Sequence, residues 1–312
     1  MGPYLTSNRY SRHWNKMRPT ETETISRTRG KRKFKKKLII ASEGFRTEQN
    51  YFCAIKDEWS GLKFNTIVEP LVLNRFYADA GKSNPLKLAE ILTDYMTFIK
   101  TGDCSVNLFI GRLIESMIDS DVIQEKDMPQ IRNEISSLIC EKGLVSDEKI
   151  SFFKEAEEEC MKYFKAKNIP DFDLKSYLIE LYEGDEVCMV VYRDDGTISP
   201  QVYSELIEKC NKEKFRLFVT NPKFELWIMF HFDEIERLIP DLKDKTKCVR
   251  ILDDEIRRRH ITKQHDFHAL VYHIGTAMNI SKAFSSDLKD LKSEVGTNLP
   301  QLINLMRTGN KQ

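Results

Sequence analysis

Three short apolar runs punctuate the chain: LIIA (38–41), VCMVVY (187–192) and FRLFVT (215–220). None alternates cleanly with polar residues, so each reads as a strand covered on both faces. Between them the period becomes helical. EQNYFCAIKDEW puts Tyr51, Phe52, Ile55 and Trp59 on one face, with Thr47 as candidate N-cap. Asn84-Pro85 opens a second amphipathic helix with Leu88, Ile91, Leu92, Tyr95 and Ile99 inward. SPQVYSELIEKCNK (199–212) is a third, with Tyr203, Leu206, Ile207 and Cys210 on one side. NPKFELWIMFHF (221–232) is expected to leave the last strand as a helix, Asn221 capping it before Pro222. FNTIVEPLVL (64–73) predicts a further strand, which Pro70 demotes to an edge or bends. The C-terminal third is mostly helical. Strands alternating with helices predict an α/β fold, a mainly parallel sheet flanked by helices.

Residues 101–182 differ in character. They hold 17 Asp/Glu against 10 Lys/Arg with helical periodicity almost throughout. The pattern predicts an all-helical insertion, with the EAEEE run as a solvated face. The expected division is a basic arm at 1–37, a core at 38–100 and 183–312, and the insertion at 101–182.

Charge sharpens this division. The net charge is +1, yet residues 1–37 carry twelve Lys/Arg and two Glu, a local balance of +10. In RYSRHWNKMRP and RTRGKRKFKKK the cations are interleaved with Tyr10, Trp14 and Phe34. That combination suits phosphate contact with base stacking, and Arg29, Lys31, Arg32, Lys33, Lys35, Lys36 and Lys37 are the candidate nucleic-acid contacts. The plainer alternative is a solubilising tail. Seven scattered cysteines without a CxxC pair point to reduced thiols and a cytoplasmic protein. No apolar run approaches membrane-spanning length, so no membrane partner is expected.

The candidate chemistry lies where strands end. Glu43 follows LIIAS, Asp194 and Asp195 follow VCMVVYR, and Asn221 with Glu225 follows FRLFVT. In a parallel sheet these ends share one edge, where open α/β folds place their ligands. Converging carboxylates repel unless a cation neutralises them. Oxygen ligands with open positions favour Mg²⁺ or Mn²⁺, whose chemistry includes phosphodiester cleavage. Against this, turns after strands are polar anyway and DDG is a common turn. The histidines at 260, 265, 268 and 273 offer one helical pair, His265/His268, and fit a basic strip better than zinc. No phosphate-binding glycine loop is present, so any ATP would be handled by another protein.

KKKLIIASEGFRTEQNYF, the VVYRDD strand end and TNPKFELWIMFHF together resemble the RloB / AbiLii family of prokaryotic defence proteins. The GTNLPQLINLM tail is similar to that family's closing pattern. The resemblance implies a Toprim-like core and anti-phage defence, often beside an ATPase partner. It implies that Glu43 and Asp194 hold the divalent metal with Asp195 following, while Glu48, Asn221, Glu225 and His231 match other family positions. One departure stands out: Tyr192 occupies the place of the first aspartate of the family's D-x-D, and a phenol is a poor Mg²⁺ ligand at neutral pH. The favoured expectation is a Mg²⁺- or Mn²⁺-dependent nuclease acting on DNA or RNA. The alternatives are a non-catalytic nucleic-acid or partner-binding sensor, and an assembly subunit that forms a homo-oligomer through the insertion.

Overall fold

A computed structural model describes residues 36–44, 46–65, 68–73, 84–101, 104–150, 153–170, 172, 185–193, 198–261 and 264–309. The arm contacts Arg29, Lys31, Arg32, Lys33 and Lys35, and both Asp194 and Asp195, lie outside these residues.

The chain opens with β1 (Lys36–Ser42), α1 (Thr47–Asp57), β2 (Val68–Leu73) and α2 (Pro85–Thr101). A second set follows: β3 (Cys104–Ser105), α3 (Val106–Asp119), α4 (Met128–Glu141), β4 (Val145–Ser146), β5 (Lys149–Ile150) and α5 (Phe153–Ala166). Then come β6 (Glu186–Tyr192), α6 (Pro200–Glu213), β7 (Arg216–Asn221) and α7 (Glu225–Met229). The remainder comprises α8 (Ile239–Leu242), α9 (Lys245–Arg259), α10 (Gln264–Leu270), α11 (Ile274–Ile280), β8 (Gly296–Thr297) and α12 (Leu299–Thr308), linked by 3-10 turns.

Five strands form one sheet in the order β2-β1-β6-β7-β8. The first three pairings are parallel and the β7–β8 pairing is antiparallel. The expected mainly parallel sheet is therefore present, with β2 and its Pro70 at an edge. Alternate residues of the central strands feed two cores. Leu38, Ile40, Cys188, Val190 and Phe218 face α1, α7 and the C-terminal helices. Ile39, Ala41, Met189, Val191, Leu217 and Val219 face α2 and α6. Both faces are apolar because both are covered, which is why the strand sequences did not alternate.

Local signals fix several helix starts. Ser199 accepts from the Val202 amide ahead of Pro200, and Ser105 caps α3 by accepting from Leu108. Other expectations change. Thr47 is the first residue of α1 rather than its cap, and Arg46 holds the cap position without a side-chain bond. Asn221 ends β7 and is joined to Pro222 by a cis peptide, and the helix begins only at Glu225. Asn221 is thus no helix cap. Its side chain is used elsewhere, as shown below.

Residues 95–172 contribute a separate buried cluster, including Phe109, Leu113, Ile135, Ile139, Cys160 and Phe164. This cluster begins in α2, at Tyr95 and Phe98, so the helix serves both cores. The region is not all-helical: β3, β5 and β4 form a small antiparallel sheet. With two residues each, these strands are too short to show any period. The EAEEE run behaves as a surface, with Glu155 and Glu158 exposed and Ala156 buried beneath them.

Candidate active site at the carboxyl edge of the sheet

Glu43 continues directly from β1, its amide donating to the Val190 carbonyl at 2.8 Å. This bond seats it beside β6, two strands that adjoin in the sheet although 149 residues separate Glu43 from Tyr192. The Tyr192 amide lies 3.4 Å from Glu43 Oε2, and Glu43 is only 1% exposed. A buried carboxylate is costly unless hydrogen-bonded or charge-balanced, so its placement here is specific.

The glycine that follows leaves room for a neighbouring carboxylate. A Cβ at Gly44 would stand 1.8 Å from Glu48 Oε2 and 2.1 Å from its Cδ. The Glu48 carboxylate, in the first turn of α1 and 5% exposed, therefore lies directly against the Gly44 backbone. Two buried acids flank one glycine at the end of β1. The first turn of α1 also suits a negative charge, since helix N-termini are electropositive.

Arg193, not among the residues expected at this edge, is 3% exposed. Its amide donates to the Thr220 carbonyl at 2.9 Å, extending the β6–β7 ladder by one bond. Its guanidinium sits 5.7 Å from the centre of the Tyr203 ring on α6. An arginine between an apolar strand and two aspartates looks like an ordinary surface residue. Only the packing of α6 reveals that it is enclosed.

The other expected site residues are distributed differently. Asn221 is fully buried and its Nδ2 donates to the carbonyls of Leu291 (3.0 Å) and Glu294 (2.8 Å). It anchors the segment before β8, and β6 stands between it and β1. Its Oδ1 is buried without a hydrogen-bond partner among the described residues. Glu225 lies at the start of α7, where burial raises its pKa while its own amide and Lys223 pull it down. Lys223 in turn pairs with Asp253 of α9 at 3.0 Å, so Glu225 belongs to the α7–α9 side.

His231 lies in the core. Its Nδ1 faces the Trp227 carbonyl at 3.0 Å and so carries the proton, leaving Nε2 to accept from the Tyr51 hydroxyl at 3.2 Å. Burial depresses the imidazole pKa to about 4 and raises the phenol well above its usual value. The tyrosine of the first motif and the histidine of the third are thus one buried hydrogen-bonded pair. They hold α1 to α7 rather than reaching the strand end.

The tail motif is also structural. Asn298 Oδ1 accepts from the Val219 amide (2.6 Å), and its Nδ2 donates to the Leu217 carbonyl (3.0 Å). The side-chain amide acts as an extra peptide unit along β7. Thr297 and Thr220 pair through their hydroxyls at 2.9 Å. Gly296 is required by close approach, because a Cβ there would meet the Ser285 carbonyl oxygen at 2.1 Å.

Of the proposed nucleic-acid contacts, Lys36 and Lys37 open β1 at the opposite edge. Lys36 pairs with Glu186 at 2.5 Å, Arg216 also binds Glu186, and the Lys37 amide donates to Asp185 at 2.7 Å. Lys36 lies seven residue steps before Glu43, about 23 Å of extended chain. His268 is occupied too, with Nδ1 3.1 Å from Glu58 Oε1, and His265 pairs with Asp266 at 3.0 Å.

Among the described residues, no group of three or more His, Cys, Asp or Glu could hold a metal ion. The donors at the Glu43 edge nonetheless fit a hard divalent cation. Among the described residues they are the carboxylate oxygens of Glu43 and Glu48, the ligand type such ions take. No helix among the described residues is long and apolar enough to cross a membrane. A family model described as RloB-like protein matches residues 38–306. No curated protein matches the chain. No solved structure matches it either.

Proposed function

This chain belongs to the RloB-like protein family, and we propose that it is a metal-dependent nuclease of anti-phage defence with a Toprim-like sheet edge. The observation that supports this most is the placement of Glu43: a buried carboxylate in contact with the backbone of the strand that delivers Asp194 and Asp195. Glu43 and Asp194 would hold Mg²⁺ or Mn²⁺, with Asp195 assisting. A divalent ion bound there would neutralise phosphoryl charge and lower the pKa of its water. The protein's own contribution is orientation: the β1–β6 ladder fixes the Glu43 backbone, the Tyr192 amide fixes its oxygen, and Glu48 packs the turn. Asn221 and Glu225 would shape the edge from β7 and α7. DNA or RNA is the substrate class, the arm its supplementary contact, and any ATP would be used by a partner protein.

The test is degradation of labelled plasmid, phage DNA and tRNA with Mg²⁺, Mn²⁺ or EDTA, comparing wild type with Glu43→Gln checked for folding. Cleavage should depend on the metal and fall by about a hundredfold or more in the variant, the usual scale for losing a charged catalytic group. Metal-independent cleavage, or full activity in the variant, would sink the reading.

Tyr192 favours a second reading, a nucleic-acid or partner binder that has kept the fold without hydrolysis. Its mark would be binding by wild type without cleavage under any of these conditions. The assembly reading finds less support. Among the described residues the one exposed large hydrophobic side chain is Tyr272, outside the insertion.

A further inference from the structure

The outer face of α9 carries an excess of positive charge in a body that is otherwise acidic. Residues 1–37 hold +10 of a chain whose net charge is +1, which leaves −9 for the remainder. Residues 241–259 nevertheless hold seven Lys/Arg against five Asp/Glu. We propose that this face is a phosphate-contacting surface for a nucleic-acid duplex, continued to the sheet edge by Lys223; this rests on the nucleic-acid reading above.

The helix turns Cys248 and Leu252 inward, both fully buried. Arg250 and Arg257 lie on the opposite side, both exposed. Seven residues make two turns, so their α-carbons stand roughly 10 Å apart along one line. That is three phosphate steps along one strand of a duplex, at about 3.4 Å each, and a guanidinium suits phosphate contact. The acids of this stretch are mostly committed elsewhere. Asp241 pairs with Lys247, Asp253 with Lys223, and Glu255 with Arg258 and Arg259. Asp244 caps the helix, accepting from the Thr246 and Lys247 amides. Asp254 remains, one negative charge against Arg250 and Arg257, neither of which pairs with an acid among the described residues. Asp241 raises the Lys247 pKa while Arg250 pulls it down, so these cations share one field.

The surface leads to the candidate site. Asp253 stands three residues after Arg250 and four before Arg257, so its partner Lys223, 3.0 Å away, lies on the same flank between them. Lys223 is two residues past the end of β7. A backbone laid along α9 therefore arrives where the parallel strands stop, with β6 alone between β7 and the strand that carries Glu43.

The test is fluorescence anisotropy of a short labelled DNA duplex with the full-length protein in EDTA, between about 50 and 200 mM salt. Wild type is compared with Arg250→Gln/Arg257→Gln, Arg250→Lys/Arg257→Lys, Glu43→Gln and, as a control of equal charge loss on α5, Lys154→Gln/Lys165→Gln, each checked as folded by circular dichroism. The double glutamine variant on α9 should bind about tenfold more weakly and flatten the slope of log affinity against log salt by about two. The double lysine variant, the α5 control and Glu43→Gln should stay near wild type. No duplex binding by wild type, an unchanged slope in the α9 variant, or an equal loss in the α5 control would overturn the proposal. Cleavage assays on the same proteins separate the two ideas. Binding that depends on α9 without cleavage under any metal would sink the nuclease and leave this surface standing. Metal-dependent cleavage that needs Glu43, with binding indifferent to α9, would do the reverse.

Discussion

The α/β body and the 95–172 region bury different kinds of residue. In the body the enclosed polar side chains are Ser42, Glu43, Glu48, Arg193, Thr220, Asn221, His231, Ser281, Thr297 and Asn298. In the second cluster the described residues offer Ser116 alone, whose hydroxyl bonds back to the Arg112 carbonyl at 2.9 Å. Its ion pairs, such as Arg112–Glu157 at 2.6 Å and Lys162–Glu159 at 2.7 Å, sit at its rim or surface. An interior filled with aliphatic and aromatic groups maximises burial at about 25 cal/mol per Å² and needs no partners. Enclosed charges and amides weaken that gain, so they persist where they do something besides packing. In the body some lock strands and helices together, and the two acids that flank Gly44, Glu43 and Glu48, are the chemical candidates.

The largest effect should come from cutting into the apolar cluster. Ile135→Ala removes a fully buried side chain from the middle of α4, at a cost of about 2–5 kcal/mol. If the two regions are separate cores, urea unfolding should show an earlier phase while Mn²⁺ binding at the body survives. One merged transition that takes binding with it would break the contrast.

A pH effect sharpens it on the other side. His231 is neutral in the fold with a pKa of about 4, against about 6.5 when unfolded. The unfolded chain binds the proton first, so stability is complete above pH 6.5, falls as pH drops towards 4, and is flat below. The span is about 3 kcal/mol. Denaturant melts of wild type and His231→Gln between pH 4 and 7.5 should differ by that slope, and parallel curves would rule it out.

Tyr51→Phe is the next step down. It leaves His231 Nε2 buried without its donor, an expected loss of about 1–3 kcal/mol in the same melts. The smallest change belongs to the insertion surface. Lys162→Ala breaks an exposed pair with Glu159 and should leave the denaturant midpoint where wild type has it. A shift would mean that this surface carries more than solvation.

The sequence made some of this visible and concealed the rest for definable reasons. The buried strands showed because both faces are covered, and Pro70 marked the edge because it cannot donate to a ladder. Asn221 misled because Asn-Pro is ordinarily a helix start, whereas here the amide is claimed by Leu291 and Glu294, about seventy residues away. His231 could be seen as motif but not as Tyr51's partner, since 180 residues separate them. Glu43 was legible as the end of a strand. Arg193 was not, because enclosure by α6 leaves no trace in its neighbours.

Asn298 has a consequence for how the sheet meets other molecules. With β8 paired to Thr220 and Asn221, and the Asn298 amide bonded at Val219 and Leu217, the outer side of β7 is spent along most of its length. At the other margin Pro70 interrupts the row of donors that an incoming strand would need. Among the described residues, neither border offers an uninterrupted backbone row for another chain to zip onto.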